Sequence, residues 1–259
     1  MREEDFEVLR GPLLTGRQSP GALTLVLLLG IFMESLLFFL VHIVIAYDSY
    51  YPYQDMIFKV HLVYSIAIII ISIPFMIPNI FMKFQKTQYL LSILVSQNIA
   101  GITVYLYFLF CFGRVIHSKK VLLILTFVSL ILAFAVFIFT CVRFQRMLKR
   151  GFYKRGSRKE EQRNRFEGIP VKGIVISAAI GISLIVQFFI VKSQGDALFS
   201  AIGILALLIF YTMVFVLPEQ LVILYCKCRF SSFNFDHRGE LYPIGFDEKY
   251  GKMKKKVKA

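Results

Sequence analysis

Residues 22–47 read ALTLVLLLGIFMESLLFFLVHIVIAY, an apolar run in which Glu34 is the only Asp, Glu, Lys or Arg residue. A helix needs about 20 mostly apolar residues to cross a hydrocarbon layer about 30 Å thick. The run meets that length and therefore predicts a transmembrane helix. It is longer than the roughly 7–15-residue apolar core of a signal peptide, and a mixed-charge segment precedes it, so we expect it to be retained.

Five further apolar runs of similar length follow the first. They lie at 59–82, 88–112, 121–142, 173–192 and 197–225. The chain of 259 residues is 57% hydrophobic and 18% charged, whereas a typical soluble domain is about 45–50% apolar and 25% charged. The sequence therefore predicts an all-α polytopic membrane protein, a bundle of six transmembrane helices, and disfavours a soluble enzyme.

The distribution of lysine and arginine predicts the orientation of these helices. Of the 30 basic residues, 25 lie in segments on the side of the N-terminus, namely 1–21, 83–87, 143–172 and 226–259. Because basic residues concentrate in cytosolic loops, both termini are predicted to be cytosolic. Arg114, Lys119 and Lys120 are exceptions, since this topology places them on the outer side.

The predicted chain organisation has five parts. They are a cytosolic N-terminal segment (1–21), a four-helix membrane segment (22–142), a basic cytosolic loop (143–172), a transmembrane helical hairpin (173–225) and a basic cytosolic tail (226–259). Gly173, Ser177 and Gly181 recur every four residues, a spacing that lets helices approach closely. This spacing predicts tight packing within the hairpin.

The net charge of +14 is explained mostly by the orientation signal. A nucleic-acid partner is not expected, because no RNA- or DNA-reading module fits in the short segments outside the membrane. In the 143–172 loop, basic residues alternate with aromatic ones, which is typical of segments attracted to anionic lipids. Two interpretations stay open for the loop, a lipid-binding segment and a solvated loop that only fixes topology.

Glu34 is the strongest candidate for an intramembrane polar site. It lies near the bilayer midplane, where a carboxylate costs about 2.5–3.5 kcal/mol on insertion scales. Gln97 and Asn98 of the third predicted span lie at a matching depth and are its expected partners. One interpretation is a proton- or cation-binding site, and the other is a neutral, hydrogen-bonded glutamic acid that locks the bundle. We expect the neutral, hydrogen-bonded form at pH 7.

Glu219 is a second candidate, since it follows Pro218 near the cytosolic end of the last predicted span. Proline removes a backbone donor and can kink a helix. Glu219 would then line a cytosolic cavity or pair with Arg143 or Arg146, and we favour the pairing.

No metal ion or other cofactor is predicted. His42, His61 and His117 fall toward the outer face but lack the short spacing of metal-binding motifs. Cys226 and Cys228 lie at the membrane surface beside basic residues, where S-palmitoylation occurs. Acylated cysteines and inert thiols both stay open.

The function suggested by these features is defined largely by missing motifs. The sequence holds no Walker A loop, HExxH, GxSxG or GxGxxG motif. The leading hypothesis is a non-enzymatic accessory, assembly or protective subunit for another membrane component, with a membrane-protein partner or a second copy of itself. The alternatives are a small transporter or channel that uses Glu34, and an intramembrane lipid-modifying enzyme.

Overall fold

The computed structural model describes residues 2–157, 195–247 and 252–253. In these residues the protein is an all-α integral membrane bundle, as predicted. Five helical units are long and apolar enough to cross a bilayer: the first span Pro20–Asp48, the second span Gln54–Met76, the third span Gln85–Val115, the fourth span Lys119–Lys149 and the C-terminal span Leu198–Arg229. The predicted span 173–192, with Gly173, Ser177 and Gly181, lies outside the described residues.

The first span begins with a helix over Pro20–Phe39. The hydroxyl of Ser19 caps it by accepting a hydrogen bond from the backbone N–H of Ala22 at 3.3 Å. Proline suits the first helical position because its missing N–H would have no helical partner there. The helix therefore begins at the cap, two residues before the predicted apolar run.

The second span is shifted relative to the prediction of 59–82. It consists of an α-helix over Gln54–Ser72 and a 3₁₀ turn over Ile73–Met76. A separate short helix, Pro78–Lys83, follows. The two prolines of this region lack the backbone N–H that would continue an α-helix, so the span ends earlier than its apolar run. The Thr24 hydroxyl lies 3.1 Å from the Phe75 carbonyl and ties the break to the first span.

Two spans contain a π-helical turn, in which hydrogen bonds run from each residue to the fifth residue before it. One covers Leu40–Ile45 and ends at a 3₁₀ turn over Ala46–Asp48 in the first span. The other covers Asn98–Thr103 and joins the helices Gln85–Gln97 and Val104–Val115 of the third span. Such turns are rare and occur often at functional sites.

The third span is the centre of the described bundle. Over its central stretch 56% of its residues are buried, against at most 22% in each of the other four spans. The C-terminal span, within a helix over Gly195–Arg229, packs mainly against it. A side chain at Gly203 would place its Cβ 2.9 Å from the Phe112 ring, so glycine permits this close approach.

The end of the bundle that carries the described N-terminal and C-terminal segments is folded rather than a set of loose tails. We call it the basic end. A 3₁₀ helix over Glu3–Arg10 and a short helix over Gly11–Leu14 begin it. Residues 230–247 close over it and contain a 3₁₀ turn at Ser231–Phe233. The short strand Phe246–Asp247 at the end of this range pairs antiparallel with the strand Lys252–Met253.

Buried polar contacts tie these segments together. Arg10, only 6% exposed, donates to the carbonyls of Ser232 at 3.2 Å and Tyr242 at 2.7 Å. Gln85 exchanges two hydrogen bonds with the backbone of Phe235, at 2.7 and 2.8 Å. The tail predicted as 226–259 therefore begins as helix, up to Arg229, and continues as a packed cap.

Candidate functional site

Glu34 lies at a point where the first and third spans touch. Its side chain is 2% exposed. One turn before it, an added Cβ at Gly30 would lie 2.6 Å from Cγ1 of Val95. The glycine therefore allows the third span to approach beside the carboxyl group, and the two helices can bond directly.

Asn98 makes that bond. Its carboxamide Nδ2 donates to Oε1 of Glu34 and also to the hydroxyl of Ser65, the latter at 3.0 Å. Glu34, Ser65 and Asn98 belong to the first, second and third spans, respectively. One amide group thus links three membrane helices.

Two histidines, His42 and His61, extend the cluster toward the end of the bundle opposite the basic end. Nε2 of His61 lies 3.3 Å from Oδ1 of Asn98 and 3.2 Å from the hydroxyl of Thr103. Nδ1 of His61 lies 2.9 Å from Nε2 of His42. A continuous set of side-chain contacts therefore runs from His42 to Glu34. The polar network, as we call it, consists of Glu34, His42, His61, Ser65, Asn98 and Thr103.

The position of the Asn98 amide fixes the direction of these hydrogen bonds. Because Nδ2 faces Glu34, the acceptor oxygen Oδ1 faces His61, so a proton must lie on Nε2 of His61. A neutral His61 then presents a lone pair on Nδ1, and His42 must donate from its Nε2. With these tautomers the donors lead from His42 through His61 to Asn98, whose Nδ2 donates to both the Glu34 carboxyl and the Ser65 hydroxyl.

The polar network is shielded from water in this conformation. Each of its six side chains is at most 9% exposed. Aromatic rings surround His42, with ring centroids at 4.5 Å for Phe38, 5.3 Å for Phe58 and 5.7 Å for Phe110. Buried polar groups are tolerated when they are hydrogen-bonded. In the described residues, the buried side-chain atoms without a partner belong to four other residues, Gln18, Gln88, Ser232 and Asn234.

The chemistry available to the network is limited by its central amide. Imidazoles and hydroxyls can pass a proton along a hydrogen bond, and the 2.9 Å contact between His42 and His61 permits this. The carboxamide of Asn98 is not an acid or a base near neutral pH. The network can therefore hold the carboxyl group of Glu34 in place, but Asn98 interrupts a direct proton path to it.

Gln97 does not take part in the network. Its Nε2 lies 3.4 Å from the Met213 carbonyl and 3.3 Å from Oε1 of Gln220, on the C-terminal span. Successive residues of a helix point about 100° apart, so Gln97 and Asn98 cannot both face Glu34. Of the two expected partners, the structure brings only Asn98 to it.

Glu219 does not take part in this network and lies beside Tyr153 of the basic end. It lines a cleft of about 110 Å³ together with Arg143 and Tyr153. Within the described residues no ion pair joins Glu219 to Arg143 or Arg146 within 4.0 Å. Instead of forming the expected ion pair, Glu219 and Arg143 line the same cleft.

The remaining histidines and acidic residues that are predicted to lie on the outer side have other contacts among the described residues. In the described part of the chain, no group of three or more His, Cys, Asp or Glu side chains is placed to hold a metal ion. The His117 ring contacts the Tyr50 ring in a tilted arrangement, with ring centroids 4.4 Å apart. Asp48 pairs with Arg114 at 2.8 Å.

Arg114, an exception to the basic-residue rule, has a structural role at the end opposite the basic end. Its Nε donates to the Ile45 carbonyl at 3.1 Å, and its Nη2 donates to the Val44 carbonyl at 2.9 Å. Both carbonyls belong to the π-helical turn Leu40–Ile45 of the first span. The guanidinium also lies 4.4 Å from the centroid of the Phe199 ring. Arg114 thus donates hydrogen bonds to the backbone carbonyls near the end of the first span and also contacts the C-terminal span.

The two cysteines considered for acylation, Cys226 and Cys228, differ in their exposure. The Cys226 side chain is fully buried, whereas Cys228 is exposed. Of the two sites considered for acylation, only Cys228 is accessible to a reagent or an enzyme in this conformation.

Sequence reasoning missed the two histidines and the π-helical turns as parts of the site. Asn98 and Thr103 lie in one π-helical turn and His42 lies in the other. A usable signal was present, because Asn98, Gly101 and Thr103 interrupt the apolar run of the third span with polar or small residues.

Comparison of the chain with protein-family models, with curated proteins and with solved structures finds no match.

Proposed function

We propose that the chain is a non-enzymatic multi-pass membrane protein that acts by contact, as an accessory, assembly or protective subunit of another membrane component. The closure of the polar network is the observation that carries this proposal. Its side chains bond to one another, and each is at most 9% exposed. A transported ion or proton needs a hydrated path to Glu34, whereas a contact role needs only a stable bundle.

The fourth span offers a broad exposed apolar surface for such contact. Its side chains Phe127, Phe134 and Phe139 are 67%, 66% and 67% exposed, respectively. Its described neighbours bury only a narrow stripe that includes Ser129 and Ala133. Within the part of the chain that the structure describes, the outward side is left to lipid or to the helices of another protein, and a photo-crosslinking residue at Phe134 would report which is present.

A small transporter or channel that uses Glu34 is the second candidate. The two π-helical turns favour it, because they lie in different spans and both contribute residues to the polar network. Such turns often mark functional sites, where a local change of helix register can rearrange polar side chains. This function would require a second conformation in which water reaches Glu34.

Glu34→Gln separates the two candidates. The variant and wild type would be purified in mild detergent from the native cells, and co-purifying chains would be quantified beside a cellular activity readout. Ser35→Ala is the matched control, since Ser35 is adjacent but bonds only to the Ile31 carbonyl of its own helix.

A contact role predicts that Glu34→Gln keeps its partner at wild-type stoichiometry and keeps its activity. A folded Glu34→Gln variant that has lost its activity, with a functional Ser35→Ala control, would contradict the contact role and support transport. Crosslinking at Phe134 that yields lipid adducts but no protein adduct would also count against it.

A further inference from the structure

The cleft beside Glu219 is a second site with functional chemistry, independent of the polar network and of the proposed contact role. It lies between the fourth span and the C-terminal span, with a volume of about 110 Å³. Arg143 and Glu219 provide opposite charges on its walls, and Phe144, Met147 and Phe215 provide apolar surface. The cleft therefore combines a cation, an anion and an apolar wall.

The two charges of the cleft do not neutralise each other. Within the described residues, neither the Arg143 guanidinium nor the Glu219 carboxylate takes part in an ion pair or a side-chain hydrogen bond. Arg143 lies 5.7 Å from the centroid of the Phe215 ring, a cation–π contact that leaves its N–H donors available. Among the residues that the structure describes, no salt bridge has to break before a ligand binds both charged groups.

Tyr153 shows that both charges act on the same small volume. This buried tyrosine lies outside the membrane-spanning segments and lines the cleft. Burial raises the pKa of its phenol, the nearby Glu219 carboxylate raises it further, and the Arg143 guanidinium opposes the rise. Both charged groups therefore act on one phenol, in agreement with their shared place in the lining of the cleft.

The depth of the cleft suits a lipid headgroup. Arg143 is the first basic residue after the apolar run 121–142, so it lies where the fourth span leaves the hydrocarbon layer. Phosphate groups of lipids lie at this level, and arginine binds phosphate through paired N–H donors. An anion alone would be repelled by Glu219, whereas a ligand with a phosphate and an ammonium group satisfies both walls.

We propose that this cleft binds the headgroup of a zwitterionic phospholipid with a primary ammonium group, such as phosphatidylethanolamine. Arg143 binds the phosphate and Glu219 binds the ammonium. The volume accommodates a headgroup and not a whole lipid, so the acyl chains remain in the bilayer along the apolar sides of the two spans.

The test uses the full chain reconstituted in vesicles with equal amounts of phosphatidylethanolamine, phosphatidylcholine and phosphatidylglycerol. After mild extraction, native mass spectrometry counts the lipids retained per chain. Wild type is expected to retain phosphatidylethanolamine preferentially. Arg143→Gln should lower the amount of phosphatidylethanolamine retained per chain about tenfold, because it removes the charge-assisted hydrogen bonds to the phosphate. Arg146→Gln, an exposed arginine one turn away that does not line the cleft, is the matched control and should retain lipid as wild type does.

Glu219→Gln gives a distinct expected result. Without the carboxylate, phosphatidylglycerol is no longer repelled, so the ratio of phosphatidylethanolamine to phosphatidylglycerol should fall about tenfold. The doubly exchanged variant, Arg143→Glu with Glu219→Arg, should restore phosphatidylethanolamine retention with the headgroup reversed, and it keeps the test valid if a single variant folds poorly.

Three results would overturn the assignment. One is equal lipid retention by wild type, Arg143→Gln and Glu219→Gln. Another is an equal loss in the Arg146→Gln control, which would indicate a general effect of basic charge. The third is full displacement of the retained lipid by dissolved glycerophosphoethanolamine, which would identify a soluble ligand instead of a membrane lipid.

Discussion

The carboxamide of Asn98 donates to the carboxyl group of Glu34, and its oxygen faces His61. This single side chain connects Glu34 of the first span to the histidines, which lie nearer the end of the bundle opposite the basic end. In a low-dielectric interior, a polar group that loses its partner is destabilised more than a matched pair is stabilised. The structural role of the network can therefore be measured by removing one partner at a time.

Glu34→Gln is expected to change the free energy of unfolding by less than about 1 kcal/mol, whereas Glu34→Ala should lower it by about 1–3 kcal/mol. Glutamine keeps the oxygen that accepts from Asn98, while alanine leaves that buried amide without its acceptor. Unfolding in mixed detergent micelles measures both variants. Equal destabilisation by glutamine and alanine would show that the carboxyl group itself is required.

Asn98→Ala should destabilise the bundle by about 1–3 kcal/mol or more, because it removes contacts to Glu34, Ser65 and His61 at once. Gln97→Ala is the adjacent control. Its contacts are long, at 3.3 and 3.4 Å, and we expect a loss below about 1 kcal/mol. Thermal unfolding midpoints of the two variants in one detergent should rank in this order. A reversed order would exclude the network as the main polar link between the spans.

Gly30→Ala is expected to destabilise the bundle by about 1–3 kcal/mol, the usual range for overpacking. The added Cβ would lie 2.6 Å from Cγ1 of Val95, a β-branched side chain with little rotamer freedom in a helix. Val95→Ala should relieve the clash, so a double-mutant cycle should give a coupling of about 0.5–3 kcal/mol. Additive effects of the two substitutions would indicate that the helices separate there without difficulty.

Arg114→Ala should lower the free energy of unfolding by about 1.5–3 kcal/mol, since it removes charged donors from the Val44 and Ile45 carbonyls. Asp48→Asn removes only the ion pair. The Asp48 side chain is 63% exposed, so we expect this change to lower stability by at most about 1 kcal/mol. Comparison of both variants in the same unfolding assay tests the assignment, and a larger effect for Asp48→Asn would contradict it.

The orientation prediction can be tested with a membrane-impermeant thiol reagent on sealed vesicles. Cys228 is exposed and should react only from the cytosolic side, with Cys228→Ser as its control. Tyr47→Cys, at a position 86% exposed in the opposite end of the bundle, should react only from the outer side. Buried Cys226 should stay unlabelled until the protein is unfolded. Labelling of positions 47 and 228 from one side would refute the topology.

Several features of the fold could be predicted because they depend on local composition. The length of an apolar run measures the free energy of transfer of a helix into lipid, and that quantity does not depend on neighbours. The predicted bounds of the first span and the predicted start of the fourth therefore agree with the structure to within two residues, whereas the fourth helix continues seven residues past its predicted end, to Lys149. The end of the second span was placed too late because its apolar run continues past Pro74 and Pro78, where backbone hydrogen bonding fails.

The sequence by itself predicted that Glu34 lies near the middle of its span with polar residues at matching depth, because depth follows from counting residues along a helix. Only the tertiary structure decided which residues meet. Whether Asn98 or Gln97 faces Glu34, and whether His42 reaches His61, depends on how each helix is rotated about its axis. That rotation is set by close packing between spans, such as Gly30 against Val95, and by π-helical turns that change the register. Contacts of this kind couple residues distant in sequence, so no local pattern specifies them.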